Sequence, residues 1–221
     1  MNTRTIKYDY KGKFNPKTLV SDNIDKLSTN LVPEKSKLLE LGCATGFMSQ
    51  YFRDKKNCQV YGVEIDPMAV KKARKICART YQVDLNHKSA WRQLKTTAPY
   101  DVIFCSSVIE HLVDPSFILN QMHLVLRPRG HLIITTPNIA HWRMRLHLLT
   151  GNWSYQDYGI LDHTHLKFFT YYTFQQLILD AGFKIQKIKI DPAGGIKYFN
   201  NIAKYFPNLY AHQIVVKAIK V

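Results

Sequence analysis

Apolar and polar positions along this chain change period from block to block. Short apolar runs at residues 37–41, 59–63, 80–83, 101–105 and 131–135 read as strands. The run 101–105 is almost wholly apolar, as a strand buried on both faces of a parallel sheet should be. Segments with helical spacing lie between them, at 47–53, 67–79, 88–95 and 116–126. Pro67 suits the first turn of its helix, and Arg127-Pro128-Arg129-Gly130 stops the helix before it. Residues 137–169 break the rhythm and are rich in aromatics and histidine. Beyond them, 172–181 predicts a helix closed by Gly182, and 183–190 with 212–219 predict a final antiparallel pair. A further helix is expected over 16–27, inside an N-terminal helical extension of residues 1–36. The alternation predicts an α/β fold in three layers. Its sheet has about seven strands, mostly parallel with an antiparallel last strand, and helices on both faces. Ligands of such sheets sit beyond the carboxyl ends of the strands, so residues that immediately follow strands carry most of the interest.

Composition changes this picture little, and charge changes it more. The 221 residues are 46% hydrophobic and 21% charged, which argues for one globular domain and against disorder. Lys and Arg number 31 against 16 Asp and Glu, a formal net charge of +15. That excess favours polyanions, acidic membrane surfaces or anionic small molecules as neighbours. It is spread over several segments: Lys71, Lys72, Arg74, Lys75 and Arg79, then Arg127 and Arg129, then Arg143 and Arg145, then Lys184, Lys187 and Lys189. A spread of this kind reads as a solvated basic surface, so nucleic acid is not favoured as a partner. No apolar run reaches the roughly 18 residues needed to span a bilayer, and the N-terminus has no signal-peptide core. Cys43, Cys58, Cys77 and Cys105 match no zinc or redox spacing and suit a reducing cytoplasm, where each serves as a small core residue.

The first strand runs into Glu40-Leu41-Gly42-Cys43-Ala44-Thr45-Gly46. Small residues at 42, 44 and 46 let the backbone turn tightly and approach a ligand. The spacing is not the G-x-G-x-x-G of dinucleotide sites, and Glu40 would repel a pyrophosphate, which disfavours a dehydrogenase. Glu40 suits a ligand that carries a positive amino group. Glu64 closes the second strand, about 20 residues further on, where a carboxylate can accept both hydroxyls of a ribose. Asp84 closes the third strand and is placed to accept from an adenine amino group, with Leu85 packing on the ring.

With these residues in view, the sequence resembles the class I S-adenosylmethionine-dependent methyltransferases. Residues 40–46 match the family's first motif, with Ala44 in place of the usual middle glycine. The segment 100–115, which contains Ser106-Ser107-Val108-Ile109-Glu110-His111, is similar to the fourth-strand region of small-molecule methyltransferases, including O-methyltransferases of ubiquinone biosynthesis. The resemblance implies a Rossmann-like sheet and S-adenosyl-L-methionine as cofactor. It implies that the Gly42–Gly46 turn wraps the methionine part, Glu64 holds the ribose and Asp84 contacts the adenine. Glu40, Ile65, Leu85 and Ser106 complete the expected cofactor set.

Methyl transfer from a sulfonium is an in-line displacement that gains from a dry pocket and a base for the acceptor's proton. Three histidines stand where such a base is wanted: His111 after the fourth strand, and His163 and His165 in Asp162-His163-Thr164-His165. Residues 139–170 are expected to form a lid or acceptor insertion, with a helix at 141–149 and an aromatic loop. Trp142, Arg143, Trp153 and Tyr158 are its candidate substrate contacts. Arg143, Arg145 and Lys167 would suit an acceptor bearing phosphate or carboxylate, or one presented at an anionic membrane. Some ubiquinone O-methyltransferases hold a divalent metal in a Glu-x-x-Glu-His cluster. Here Ser107 stands in place of the first carboxylate, so the cluster is incomplete; Asp162, His163 and His165 could supplement it, and no metal is assigned.

Other classes fit less well. No Asn/Asp-Pro-Pro-aromatic turn follows the fourth strand, which disfavours methylation of exocyclic amines of bases, and Cys105 after Phe104 lacks the context of a cytosine-C5 nucleophile. The reading that results is a single-domain methyltransferase acting on a small molecule, at a hydroxyl oxygen. The alternatives are an RNA or protein methyltransferase recruited by the basic surface, and a non-catalytic S-adenosylmethionine-binding scaffold.

Overall fold

Leu38 and Leu39 are both fully buried although they point to opposite faces of one strand. That strand, β1 (Lys37–Leu41), must therefore lie inside a sheet covered on both sides. The computed structural model, which describes residues 14–21, 23–192 and 205–221, shows this arrangement. Strands β2 (Gln59–Glu64), β3 (Arg79–Gln82), β4 (Tyr100–Ser106), β5 (Leu126–Pro137), β6 (Phe183–Asp191) and β7 (Gln213–Lys220) join β1 in one sheet. Its order is β3-β2-β1-β4-β5-β7-β6. The pairs from β3 to β5 are parallel, and β7 runs antiparallel to both β5 and β6. The chain builds outward from β1 to β3 and then returns to lay β4 on the other side of β1. That reversal opens a crevice at the carboxyl ends of β1 and β4.

Helices α1 (Ile24–Asn30), α2 (Phe47–Lys56) and α3 (Pro67–Ala73) cover one face, where Ile24, Phe52 and Ala73 pack with Leu38, Phe104 and Val215. Phe52 and Phe104 meet edge-on at 5.0 Å, and truncating either to alanine would cost about 3–5 kcal/mol. Helices α4 (Lys88–Lys95), α5 (Pro115–Val125) and α7 (Tyr171–Asp180) cover the other face, where Trp91, Ile118 and Phe174 pack with Leu39, Ile103 and Leu132. Between β5 and α7 lies α6 (Trp142–Leu149), and α8 (Pro207–Tyr210) precedes β7.

Three boundaries differ most from the sequence expectation. The helix expected over 16–27 is two pieces, a single 3-10 turn at Pro16–Thr18 and then α1. The Asn23 side chain accepts from the backbone N–H of Asp25 and Lys26, which starts α1 afresh. Of the expected extension 1–36, residues 1–13 and 22 lie outside the described residues. Helix α3 stops at Ala73 rather than at residue 79. Tight turns from Lys72 and Ala73 bring the chain down, and the Ala78 N–H donates to the Val60 carbonyl as it enters the sheet. Strand β5 starts at Leu126 and absorbs the expected turn at 127–130 as an irregularity in its pairing with β4. There the Arg127 guanidinium meets the Asp101 carboxylate at 2.5 Å. Among the described residues, no helix is long and apolar enough to cross a membrane.

Candidate cofactor and acceptor site

A cavity of about 650 Å³ occupies the crevice. Of the residues expected to hold a cofactor, Glu40, Gly42, Ala44, Glu64, Ile65, Asp84, Leu85 and Ser106 line it. Gly42 has φ +70°, and a Cβ there would run into the Val108 methyl Cγ2. The turn after β1 and the turn after β4 thus touch, and glycine alone lets them. Gly46 is not among the lining residues. It caps α2 from behind with φ +86°, where a Cβ would press on Ile76 Cδ1 at 3.0 Å and Ala73 Cα at 3.3 Å.

The carboxylates are held in different ways. Glu64 Oε2 accepts from the Ala44 N–H at 2.9 Å, and Oε1 accepts from the N–H groups of Ile65 at 2.7 Å and Asp66 at 2.9 Å. These bonds fix the carboxylate beside the turn and use three of its four lone-pair sites, which leaves one on Oε2 for a diol hydroxyl. Asp84 Oδ1 accepts from the backbone and side-chain amides of Asn86, both at 2.9 Å. Ile65 is 62% exposed at the cavity mouth, an apolar side chain available to the face of a base. Glu40 is buried, accepts a hydrogen bond from the Ser49 hydroxyl of α2, and is pushed well above the usual carboxylate range by desolvation.

At the β4 end, His111 also lines the cavity, together with Ser107 and Thr164. Glu110 lies behind His111 and is 1% exposed. Burial raises its carboxyl to about 8, with a smaller push from the Asp162 charge. Its carbonyl accepts from the N–H groups of Leu166 and Lys167, which fastens the segment after β5 to the end of β4. That segment leaves and returns at one point. The Ile139 N–H donates to the Phe169 carbonyl at 2.9 Å, and Asn138 and Phe169 form a bridge. Within the excursion, Met144, Ile160 and Leu161 make a small core of their own.

His165 is buried in the excursion and stacks edge-on against His111 with ring centroids 4.7 Å apart. Glu110, His111 and His165 therefore form a cluster whose potential ligand atoms lie within 4.8 Å of one another. These are the residues that could hold a metal. His163 is placed elsewhere, its Nδ1 3.3 Å from the Gln156 carbonyl and 3.7 Å from Asp157, and it is not a lining residue. Trp142, Arg143, Trp153 and Tyr158 are not lining residues either. The Arg143 guanidinium sits over the Trp142 ring, and Trp153 packs on Phe168 at 5.6 Å.

The whole chain can now be set beside known proteins. A family model described as a methyltransferase domain matches residues 13–188, most of the chain. The chain belongs to that family. S-adenosyl-L-methionine is its cofactor. The ubiquinone biosynthesis O-methyltransferase of Vibrio campbellii is 25% identical over 139 residues, which cover 59% of this chain and 57% of that one. The chain thus spans little more than half the length of this curated relative. A putative S-adenosylmethionine-dependent methyltransferase from Listeria monocytogenes has the same fold, with a TM-score of 0.62 at 14% identity over 89% of this chain and 96% of that one. So does a 1,6-didemethyltoxoflavin-N1-methyltransferase from Burkholderia thailandensis, solved with S-adenosylhomocysteine, with a TM-score of 0.61 at 15% identity over 91% of this chain and 80% of that one.

Several lining residues escape sequence reasoning. Asp25 and Ile24 come from α1, and Gln213 is the first residue of β7. Gln213 had a findable signal, because an antiparallel strand begins at the edge where its parallel neighbours end. Ser107, with φ +52°, and Thr164 had none. Asp25 is raised to about 6 by burial and by the neighbouring Asp191 charge.

Proposed function

We propose that this chain transfers the methyl group of S-adenosylmethionine to a hydroxyl oxygen of a small-molecule acceptor. One observation carries the reading. A single cavity is lined at one end by Glu64 and Asp84, the acids suited to a ribose and an adenine, and at the other by His111 with Glu110 and His165 behind it. The methyl donor held along β1–β3 would present its sulfonium near Gly42, and the acceptor would enter over the end of β4. Transfer forms a C–O bond on the far side of the methyl as the S–CH3 bond breaks. The hydroxyl proton leaves toward the cluster, of which His111 is the member at the cavity wall. The excursion over 139–170 serves as the lid that keeps water from that end. The names of the curated relatives support oxygen as the acceptor atom.

The test is S-adenosylhomocysteine formation across matched panels of phenols, alcohols and amines. Turnover confined to hydroxyl acceptors is expected. Methylation of amines with no hydroxyl product would overturn the oxygen assignment. Replacing His111 with alanine should lower kcat by roughly 10²-fold or more while leaving cofactor affinity in place.

A further inference from the structure

We propose that Glu110, His111 and His165 bind one divalent transition-metal ion of the zinc class. This deepens the reading of the same cluster, and it rests on that reading only for the ion's part in turnover. Among the described residues, Glu110 Oε1 is buried with no hydrogen-bond partner, and the other oxygen receives a single 3.4 Å bond from the Thr136 hydroxyl. A buried carboxylate oxygen left in this state is costly, and a cation beside it removes the cost.

Both imidazoles are set up as ligands. His165 Nδ1 lies 3.0 Å from the Ile160 carbonyl, and His111 Nδ1 lies 3.2 Å from the Thr164 carbonyl and 3.1 Å from the Thr164 hydroxyl, whose own proton goes to Asp162. A carbonyl only accepts, so Nδ1 carries the proton in each contact and Nε2 carries a lone pair. Metal-binding histidines are oriented by this same outer hydrogen bond. His165 Nε2 is 4.0 Å from Glu110 Oε1, and all three ligand atoms lie within 4.8 Å. Around a tetrahedral zinc, ligand atoms are about 3.3 Å apart. Side-chain rotations of about 1 Å would close the set.

The donor types decide the ion. Two imidazole nitrogens and one carboxylate suit zinc, cobalt or nickel, whereas magnesium asks for an octahedron of oxygens. Ser107 at the end of β4 offers no second carboxylate, and His165 from the excursion supplies the third ligand instead. Three protein ligands leave a coordination position, and His111 brings it to the cavity wall. There the ion would make the acceptor's hydroxyl more acidic, and its proton would pass to Glu110 Oε2 within the same cluster. The oxygen lone pair would then form the bond to the methyl carbon, and neutral S-adenosylhomocysteine would leave. The ion would also tie the excursion to the end of β4.

The experiment is calorimetric titration of this chain, treated with chelator, with zinc chloride and, separately, magnesium chloride. The visible spectrum of the cobalt(II) form reports coordination. One equivalent of zinc, no heat with magnesium and tetrahedral cobalt bands are expected. Affinity should fall about 100-fold in His165→Ala and in Glu110→Gln, and His147→Ala should bind like the parent. S-adenosylmethionine titration of each variant reports whether the cofactor end is folded; if His165→Ala fails that check, His111→Gln takes its place. Absence of one-equivalent zinc binding, binding untouched in folded ligand variants, or preference for magnesium would overturn the site. None of these readouts needs turnover, so failure of the methyl-transfer reading would leave the result standing.

Discussion

Buried Glu40 apart, which desolvation raises beside the turn after β1, the proposed cofactor and acceptor ends of the cavity handle their acidic groups in opposite ways. At the cofactor end, Glu64 is held by three backbone N–H groups and Asp84 by the amides of Asn86. Those carboxylates are compensated before any ligand arrives. At the acceptor end, Glu110 is buried with an unpartnered oxygen, and Asp25 faces the like charge of Asp191. Those groups are destabilised in their ionised form. A site that binds one constant ligand gains from prepared partners. A site that must move a proton gains from groups whose protonation is finely balanced.

The sharpest way to break this comparison is at the turn that joins the ends. Gly42→Ala puts a methyl against Val108 in a left-handed backbone. Strain there costs about 1–2 kcal/mol, and overpacking adds a similar amount. Affinity for S-adenosylmethionine should fall roughly 100-fold, read by calorimetry. An unchanged affinity would mean that the cavity is not the cofactor site. A smaller loss is expected from Glu64→Gln, which removes one charge-assisted acceptor from the ribose end. About 2 kcal/mol, or roughly 30-fold in affinity, is expected, with little change in kcat at saturating cofactor. A change in kcat alone would erase the distinction between the two ends.

The ends also differ in how much of them the sequence revealed, and for a physical reason. Gly42, Glu64 and Asp84 each follow a successive strand, so strand periodicity alone places them together. The rest of the lining comes from α1, the end of β4, the excursion and the start of β7. Asp25, His111, Thr164 and Gln213 are far apart in sequence, and no local pattern announces that they meet. The pairing of Glu110 with His165 depends on how the Leu166 and Lys167 N–H groups dock on one carbonyl, which periodicity does not encode. The aromatic residues of the excursion looked like pocket material because they are large and clustered. In the structure Trp153 packs on Phe168, and that contact braces the excursion itself. Sheet order was legible from the βα alternation, whereas the ends of α3 and β5 were not. Those ends are set by pairing with neighbouring strands rather than by propensity.

Asp25 gives the finest test of the contrast. Its carboxyl is pushed up to about 6, first by burial and then by Asp191, so folding favours the protonated form. The stabilisation this brings is complete below the unfolded value of about 3.9 and is lost as pH rises through 6. A shift of this size is worth about 2–3 kcal/mol across that window. Asn keeps the shape and never ionises. The Asp25→Asn protein should therefore match the parent near pH 4 and exceed it in stability by about 2 kcal/mol at pH 8, read from urea midpoints at both values. Cofactor affinity should stay as it is, because no cofactor acid is touched. A variant less stable at pH 8 would show that the ionised Asp25 has a favourable partner, and the two ends of the cavity would then treat their acids alike.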